Sequence, residues 1–342
     1  MVSISVVMPT YNTEVPILRE AVESILSQTF RDFEFIIIDD GSDNDSTEYL
    51  ESLEDQRVRL IRNPQNLGIT KSLNIGFKEA KGKYIARMDS DDIAVPVRLE
   101  KQFAFMERHS SVIACGSNIE FFGAYSAVSH NRIKDMETYR ITALFVNPGP
   151  IHPTAFFNRE LLLRYRISYD EKLTYSQDYG LWVEIIKYGK VCLLKDVLLR
   201  YRVHENQITY HQRNKQVRCA YMVLRKQLQG LLGDVSDEKL ELHCRYSTGY
   251  YRDAVINDEM LNWFHRLITA NNRLGLYDKR KFRFYVNDTV IKRTIYQSFD
   301  NNMNYLYRIS MFFRYLPFPY ALKAAAGMIS RNSIRSITMR QD

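Results

Sequence analysis

Cysteine is scarce: four residues in 342, at positions 115, 192, 219 and 244. No two are spaced as CxxC, so the usual zinc-ribbon arrangements are excluded. Scattered thiols make no disulfide framework either, which fits a reducing compartment. No uninterrupted apolar run reaches the ~18 residues needed to span a bilayer. The N-terminus has neither a basic n-region nor a small-residue cleavage site; Ser3 to Met8 reads as a strand rather than a signal peptide. Helix-turn-helix, zinc-finger and RNA-recognition signatures are missing, so nucleic acid is not an expected partner. These absences predict a cytoplasmic protein.

What is present suits a packed core. Hydrophobic residues make up 45% and charged residues 25%, a globular balance in a chain long enough for one large domain and a smaller appendage. The 23 tyrosines and 18 phenylalanines suit a carbohydrate site and equally suit a core. A formal charge of +7 leaves an anionic membrane or a phosphorylated small molecule as candidate partners.

The first hundred residues alternate between two periods. Val6-Val7-Met8, Phe33 to Ile38, Val58 to Ile61 and Tyr84 to Met88 read as short buried strands. Leu18, Val22, Ile25 and Leu26, and then Leu73, Phe77 and Ala80, recur at helical spacing. Strand–helix alternation implies an α/β fold with parallel strands and right-handed crossovers, in which ligands bind at the carboxyl ends of strands. Three strands end in polar loops: Thr10-Tyr11-Asn12, Asp39-Asp40-Gly41-Ser42 and Asp89-Ser90-Asp91-Asp92. All three are expected on one sheet edge. Further on, Val112 to Cys115, Val191 to Leu194 and Val197 to Tyr201 read as strands, and Asp178 opens a helix carrying Leu181, Trp182, Ile185 and Ile186. Beyond about 212 the pattern is mainly helical, which divides the chain into 1–212 and 213–342.

Three carboxylates at Asp89, Asp91 and Asp92 repel one another, and a hard divalent cation such as Mg²⁺ or Mn²⁺ would relieve the repulsion; an acidic turn capping the next helix is the alternative. Asp40 can accept from a nucleobase imide or form an Asx turn. Tyr11 can stack on a base or pack on the sheet edge.

Taken in order, these strings closely resemble the inverting glycosyltransferases of family 2. The resemblance runs from Val6-Val7-Met8-Pro9-Thr10-Tyr11-Asn12 through Ser24 to Phe30, Ile38 to Thr47, Asn66-Leu67-Gly68 and Arg87 to Asp92 to Pro96–Gln102. It covers roughly 3–210 and implies a GT-A fold, a Rossmann-like and mostly parallel sheet flanked by helices, with a mainly helical C-terminal extension. It implies a nucleotide-sugar donor, usually a UDP-sugar, and a glycan or lipid-linked acceptor. Pro9, Thr10, Tyr11, Asp40, Lys71 and Asp89 are then expected at the nucleotide, and Asp91, Asp89 and His204 at Mn²⁺ or Mg²⁺. Asp178 takes the general-base position, although Gln177 replaces the family's glutamate beside it. His152, Gln177 and Trp182 are expected at the sugar or acceptor pocket.

A nucleotidyltransferase would carry a glycine-rich loop where Pro9-Thr10-Tyr11-Asn12 stands, and a non-catalytic sugar-binding protein would have lost the DxD or the base. At the C-terminus, Met311 to Tyr320, followed by Lys323, Ile329, Arg331, Arg335 and Arg340, mixes aromatics with cations. Residues 305–342 either meet an anionic membrane at the inner face of the plasma membrane or form a helical cap with a basic tail.

Overall fold

Strand β1 (Ile4–Thr10) lies between β2 (Phe33–Asp39) and β4 (Tyr84–Arg87) and is parallel to both; β3 (Val58–Arg62) extends the parallel set beyond β2. All seven residues of β1 are buried, because α1 (Val15–Leu26) and α3 (Ile69–Glu79) cover its faces. The α1 stripe predicted from periodicity is the buried one: Leu18, Val22 and Ile25 face the core. Gly76 lets α3 come close, since a Cβ there would sit 2.3 Å from Val7 Cγ1.

Beyond β4 the sheet is mixed. It runs β3-β2-β1-β4-β8-β6-β9-β5, with β8 (Phe156–Asn158), β6 (Val112–Gly123), β9 (Lys190–Val203) and β5 (Ile93–Ala94), and β7 (Ala127–Val128) pairs on β6. β8 is antiparallel to β4 and β6, β6 and β9 are parallel, and β5 is antiparallel to β9. The two strands expected over 191–201 are a single strand, and the strand expected over 112–115 runs to Gly123. Register shifts between Ser117 and Ile119 absorb the polar residues that hid this continuity. Flanking elements are α2 (Ser46–Glu51), α4 (Arg98–Arg108), α6 (Arg159–Arg164) and α7 (Gln177–Ile185).

This computed structural model describes residues 2–130, 135–204, 213–247, 257–291, 294–295 and 305–326. They divide into one compact unit of Met1–Met136 and Pro148–Ala220 and another of Glu137–Asn147 and Tyr221–Asp342. The second is helical: α5 (Met136–Ala143), α8 (Arg213–Leu232), α9 (Asp237–Ser247), α10 (Asp258–Leu274), α11 (Lys279–Phe284) and α12 (Tyr305–Tyr315). The division runs through α8, and the helical unit also takes in the stretch after Met136. Its core holds Phe145, Phe264 and Phe282 around a buried His243.

Candidate active site

The parallel register aligns Thr10 with Asp39 and Val7 with Arg87, so β1, β2 and β4 end on one edge. Side chains stitch the three loops together there. Thr10 Oγ1 donates to Thr13 Oγ1 at 3.1 Å, and Thr13 Oγ1 lies 2.8 Å from Ser90 Oγ. Asn12, at φ 50°, accepts the Asp43 amide at 3.0 Å and donates to Asp43 Oδ1 at 2.7 Å. Pro9 and Thr10 are buried, whereas Tyr11 is 46% exposed and offers its ring to the edge.

Asp40 is 3% exposed. Its Oδ1 accepts from Asn63 Nδ2 at 2.7 Å and the Leu67 amide at 2.9 Å, and its Oδ2 accepts the Gly68 amide at 2.8 Å. The side chain therefore fixes the loop ahead of α3, with two N–H groups on Oδ1 and one on Oδ2. Lys71 is exposed in the first turn of α3.

Asp89, Asp91 and Asp92 bring carboxylate oxygens within 4.8 Å of one another. They do not cap a helix; the turn leads into β5, and α4 begins only at Arg98. Both oxygens of Asp89 are held by the guanidinium of Arg87, itself 2% exposed. Burial raises the Asp89 carboxyl above the usual range and Asp91 adds to the shift, against the pull of Arg87. Asp92 is 1% exposed; burial, then Asp91 and Asp89, push it well above the ordinary carboxylate range. Its Oδ1 accepts the Arg202 amide at 2.9 Å, and its buried Oδ2 has no partner. A crowded trio of carboxylates with an orphaned buried oxygen fits a hard divalent cation.

The antiparallel register of β5 on β9 pairs Ile93 with Arg200. Continued toward the turn, it puts Arg202 beside Asp91, where Arg202 Nε donates to the Asp91 carbonyl at 2.8 Å. His204 follows directly, and its Nε2 lies 3.1 Å from Asp91 Oδ2. Glu205 and Asn206, which follow, lie outside the described residues.

Asp178 stands in the first turn of α7, half-buried, behind Ser176 in the left-handed region at φ 54°. Ser176 Oγ donates to the Gln216 carbonyl at 3.1 Å. Tyr169 connects this turn electrostatically to the acidic edge. Burial raises its hydroxyl pKa; Arg87 opposes the shift, while the charges of Asp178 and Asp89 add to it. The same hydroxyl lies 2.8 Å from Nε2 of His152, and burial, with Arg87 nearby, keeps that imidazole neutral.

Gln177 and His152 are each 9% exposed, and Trp182 is fully buried. The indole stacks on Phe157 at 5.7 Å and packs so closely on Gly149 that a Cβ there would lie 2.0 Å from Nε1. Trp182 is thus packed in the core between Phe157 and Gly149.

A sequence profile described as Glycosyl transferase family 2 matches residues 5–166. An uncharacterized glycosyltransferase of Methanocaldococcus jannaschii is 35% identical over 232 residues, 65% of this chain and 78% of that one. The chain belongs to glycosyltransferase family 2. Another relative of this glycosyltransferase is the Escherichia coli UDP-Glc:alpha-D-GlcNAc-diphosphoundecaprenol beta-1,3-glucosyltransferase WfgD, 29% identical over 213 residues, covering 60% and 79% of the two chains. Among solved structures, Staphylococcus aureus TarS 1-349 in complex with UDP-GlcNAc matches at TM-score 0.60 and 18% identity, covering 92% and 93%. The mannosyltransferase PcManGT of Pyrobaculum calidifontis, in complex with GDP-Man and Mn²⁺, matches at TM-score 0.52 and 16% identity, covering 96% and 87%. The fold is GT-A.

No sequence pattern assigns a role to Arg202 or Tyr169. Asp92 was visible as a third carboxylate in the motif. Arg202 and Tyr169 had no local signal for the acidic edge, since Arg202 reaches Asp91 across 111 positions and Tyr169 faces Asp89 from about eighty away.

Proposed function

We propose that this glycosyltransferase inverts configuration as it carries a sugar from a UDP-sugar to a hydroxyl of a glycan or lipid-linked acceptor, in cell-surface polysaccharide assembly. The carrying observation is the trio Asp89, Asp91 and Asp92 at the end of β4, with the His204 ring on Asp91 and a buried Asp92 oxygen without a partner. The donors named for WfgD and TarS and the acceptor named for WfgD support the substrate class.

Asp91, Asp89 and His204 would hold Mn²⁺ or Mg²⁺, with the Asp92 carboxylate in the same cluster. When bound, the ion offsets the carboxylate charge and stabilises the departing diphosphate. On the chain's side, Tyr11 and Asp40 lie against the base, Pro9 and Thr10 line the nucleotide edge, and Lys71 meets phosphate. Asp178 accepts the proton from the acceptor hydroxyl as that oxygen attacks the anomeric carbon opposite the leaving group. The neutral His152 and Gln177 border the sugar pocket, and Trp182 braces its wall.

A donor screen tests this reading: purified protein, Mn²⁺, a panel of nucleotide sugars with candidate acceptors, and detection of released nucleotide. Transfer from a UDP-sugar with an inverted product is expected, and Asp178→Asn should abolish it while UDP still binds. A product of retained configuration, or an active Asp178→Asn enzyme, rules out the mechanism.

The catalytic region is proposed as 1–212. A cytoplasmic location is proposed, with residues 305–342 touching an anionic membrane. Phe313 and Phe318 are 44% and 69% exposed and Leu322 53%, beside Arg314 and Lys323. Ile329, Arg331, Arg335 and Arg340 lie outside the described residues. Among the described residues no helix is long and apolar enough to cross a membrane.

A further inference from the structure

One face of α3 is devoted to a segment about a hundred residues downstream. Thr70, Asn74 and Phe77 fall at i, i+4 and i+7 and so share that face. Asn74 clamps the backbone of Tyr169 from both sides: its Nδ2 donates to the Tyr169 carbonyl at 3.0 Å, and its Oδ1 accepts the Tyr169 amide at 3.1 Å. Nδ2 also reaches Glu171 Oε1 at 3.3 Å. Thr70 Oγ1, buried, donates to the Leu173 carbonyl at 2.7 Å. Phe77 meets the Tyr169 ring edge-on at 5.2 Å.

The segment so held is the irregular stretch between α6 and α7, and it delivers the chain to Ser176 and Asp178. Its main chain gains these bonds from α3 rather than from a helix or sheet ladder. The N-terminus of α3, next to Thr70, is tethered by Asp40, which accepts the Leu67 and Gly68 amides. A hydrogen-bonded path thus runs from Asp40 after β2, through the first two turns of α3, to the stretch that leads into Ser176 and Asp178.

We infer that α3 is a strut that sets the position of Asp178 relative to the nucleotide edge, with Thr70 and Asn74 as its positioning residues. The inference rests on the assignment of Asp178 as the base. Neither residue touches a reacting atom. Two of Asn74's three bonds and the single Thr70 bond go to main chain, so they fix where the turn lies whatever its side chains. A base displaced by about 1 Å can cost on the order of a hundredfold in rate, so loosening this turn lowers turnover and spares nucleotide binding.

The test uses the full chain with Thr70→Val, Asn74→Ala and the conservative Thr70→Ser. Three quantities are read: UDP release from whichever of UDP-glucose and UDP-GlcNAc the wild type turns over, UDP affinity by calorimetry with Mn²⁺, and amide hydrogen exchange. Thr70→Val and Asn74→Ala should lower kcat by about tenfold or more while UDP affinity stays within about twofold. Amides of 170–178 should exchange faster, those of Leu67 and Gly68 should not, and Thr70→Ser should behave as wild type. Asn74→Asp, which keeps the acceptor and loses the donor, replaces Asn74→Ala if that variant does not fold, with the same fall in kcat expected. An unchanged kcat, or a UDP affinity that falls in step with kcat, overturns the strut. Asp178→Asn separates the two ideas. If that enzyme stays active, the base assignment fails, and the strut stands or falls on exchange at 170–178.

Discussion

His204 Nε2 sits 3.1 Å from Asp91 Oδ2, 113 positions apart in sequence. The pairing follows from the β5–β9 register, which delivers the end of β9 to the acidic turn. A ring nitrogen so placed either orients the carboxylate or shares its ligand. His204→Ala should therefore weaken binding of Mn²⁺ to the UDP-bound protein by about ten- to a hundredfold, as losses around metal sites do. Calorimetric titration of Mn²⁺ in the presence of UDP measures it, and an unchanged affinity removes His204 from the metal.

Asp40 uses both oxygens as acceptors for three N–H groups. Asparagine can replace only one of those oxygens and would turn an N–H₂ toward a backbone N–H. Asp40→Asn should cost about 1–3 kcal/mol of stability, the cost of a buried unsatisfied polar group. Urea denaturation of the two proteins side by side checks this.

Gly149 faces the Trp182 indole with no room for a methyl group. Gly149→Ala should destabilise the protein by about 1–3 kcal/mol through overpacking and change Trp182 emission. The chain has two tryptophans, so a Trp263→Phe background isolates the signal.

His243 provides a pH prediction within the helical unit. Trp263 Nε1 donates to its Nδ1 at 3.1 Å, so its Nε2–H must be the donor to the Leu144 carbonyl at 2.8 Å. Protonation would set two N–H groups against each other. Burial holds the imidazole down to about 4 against the usual 6.5. The folded pKa is depressed, so the contribution is complete above about 6.5 and is lost as pH falls toward 4. It amounts to roughly 3 kcal/mol. Unfolding free energies followed by Trp263 fluorescence in a Trp182→Phe background should show this slope, and His243→Gln should flatten it.

The exposed aromatics near the C-terminus predict binding to anionic surface. Flotation with vesicles rich in phosphatidylglycerol should carry the wild type up, and Phe318→Ser combined with Lys323→Glu should release it, more so at high salt. Equal flotation of both proteins, or none of the wild type, excludes the contact.

The parallel half of the sheet was legible because its strands are short and mostly apolar and two of its crossovers, α1 and α3, are helices with a clear stripe. Leu18, Val22 and Ile25 kept the faces that periodicity assigned them. The mixed half was not legible. β8 has three residues and β5 two, too few for a period, and the polar Ser117 and Asn118 broke the pattern of β6. Trp182 shows the limit within a helix: hydrophobic spacing marked it as inward-facing, but its neighbours there, Gly149 and Phe157, come from distant segments.

The sequence by itself determined the parallel strands, the polar loops at their ends and the DxD turn, because these depend on residues within a few positions of one another. Tertiary structure alone decided that His204 reaches Asp91, that Asp92 keeps a buried oxygen without a partner, that Asp40 anchors the loop before α3, and that Thr70 and Asn74 hold the approach to Asp178. Each of these depends on the register or docking of segments about twenty to a hundred or more residues apart, a quantity fixed by packing and hydrogen bonding across the fold and absent from any local pattern.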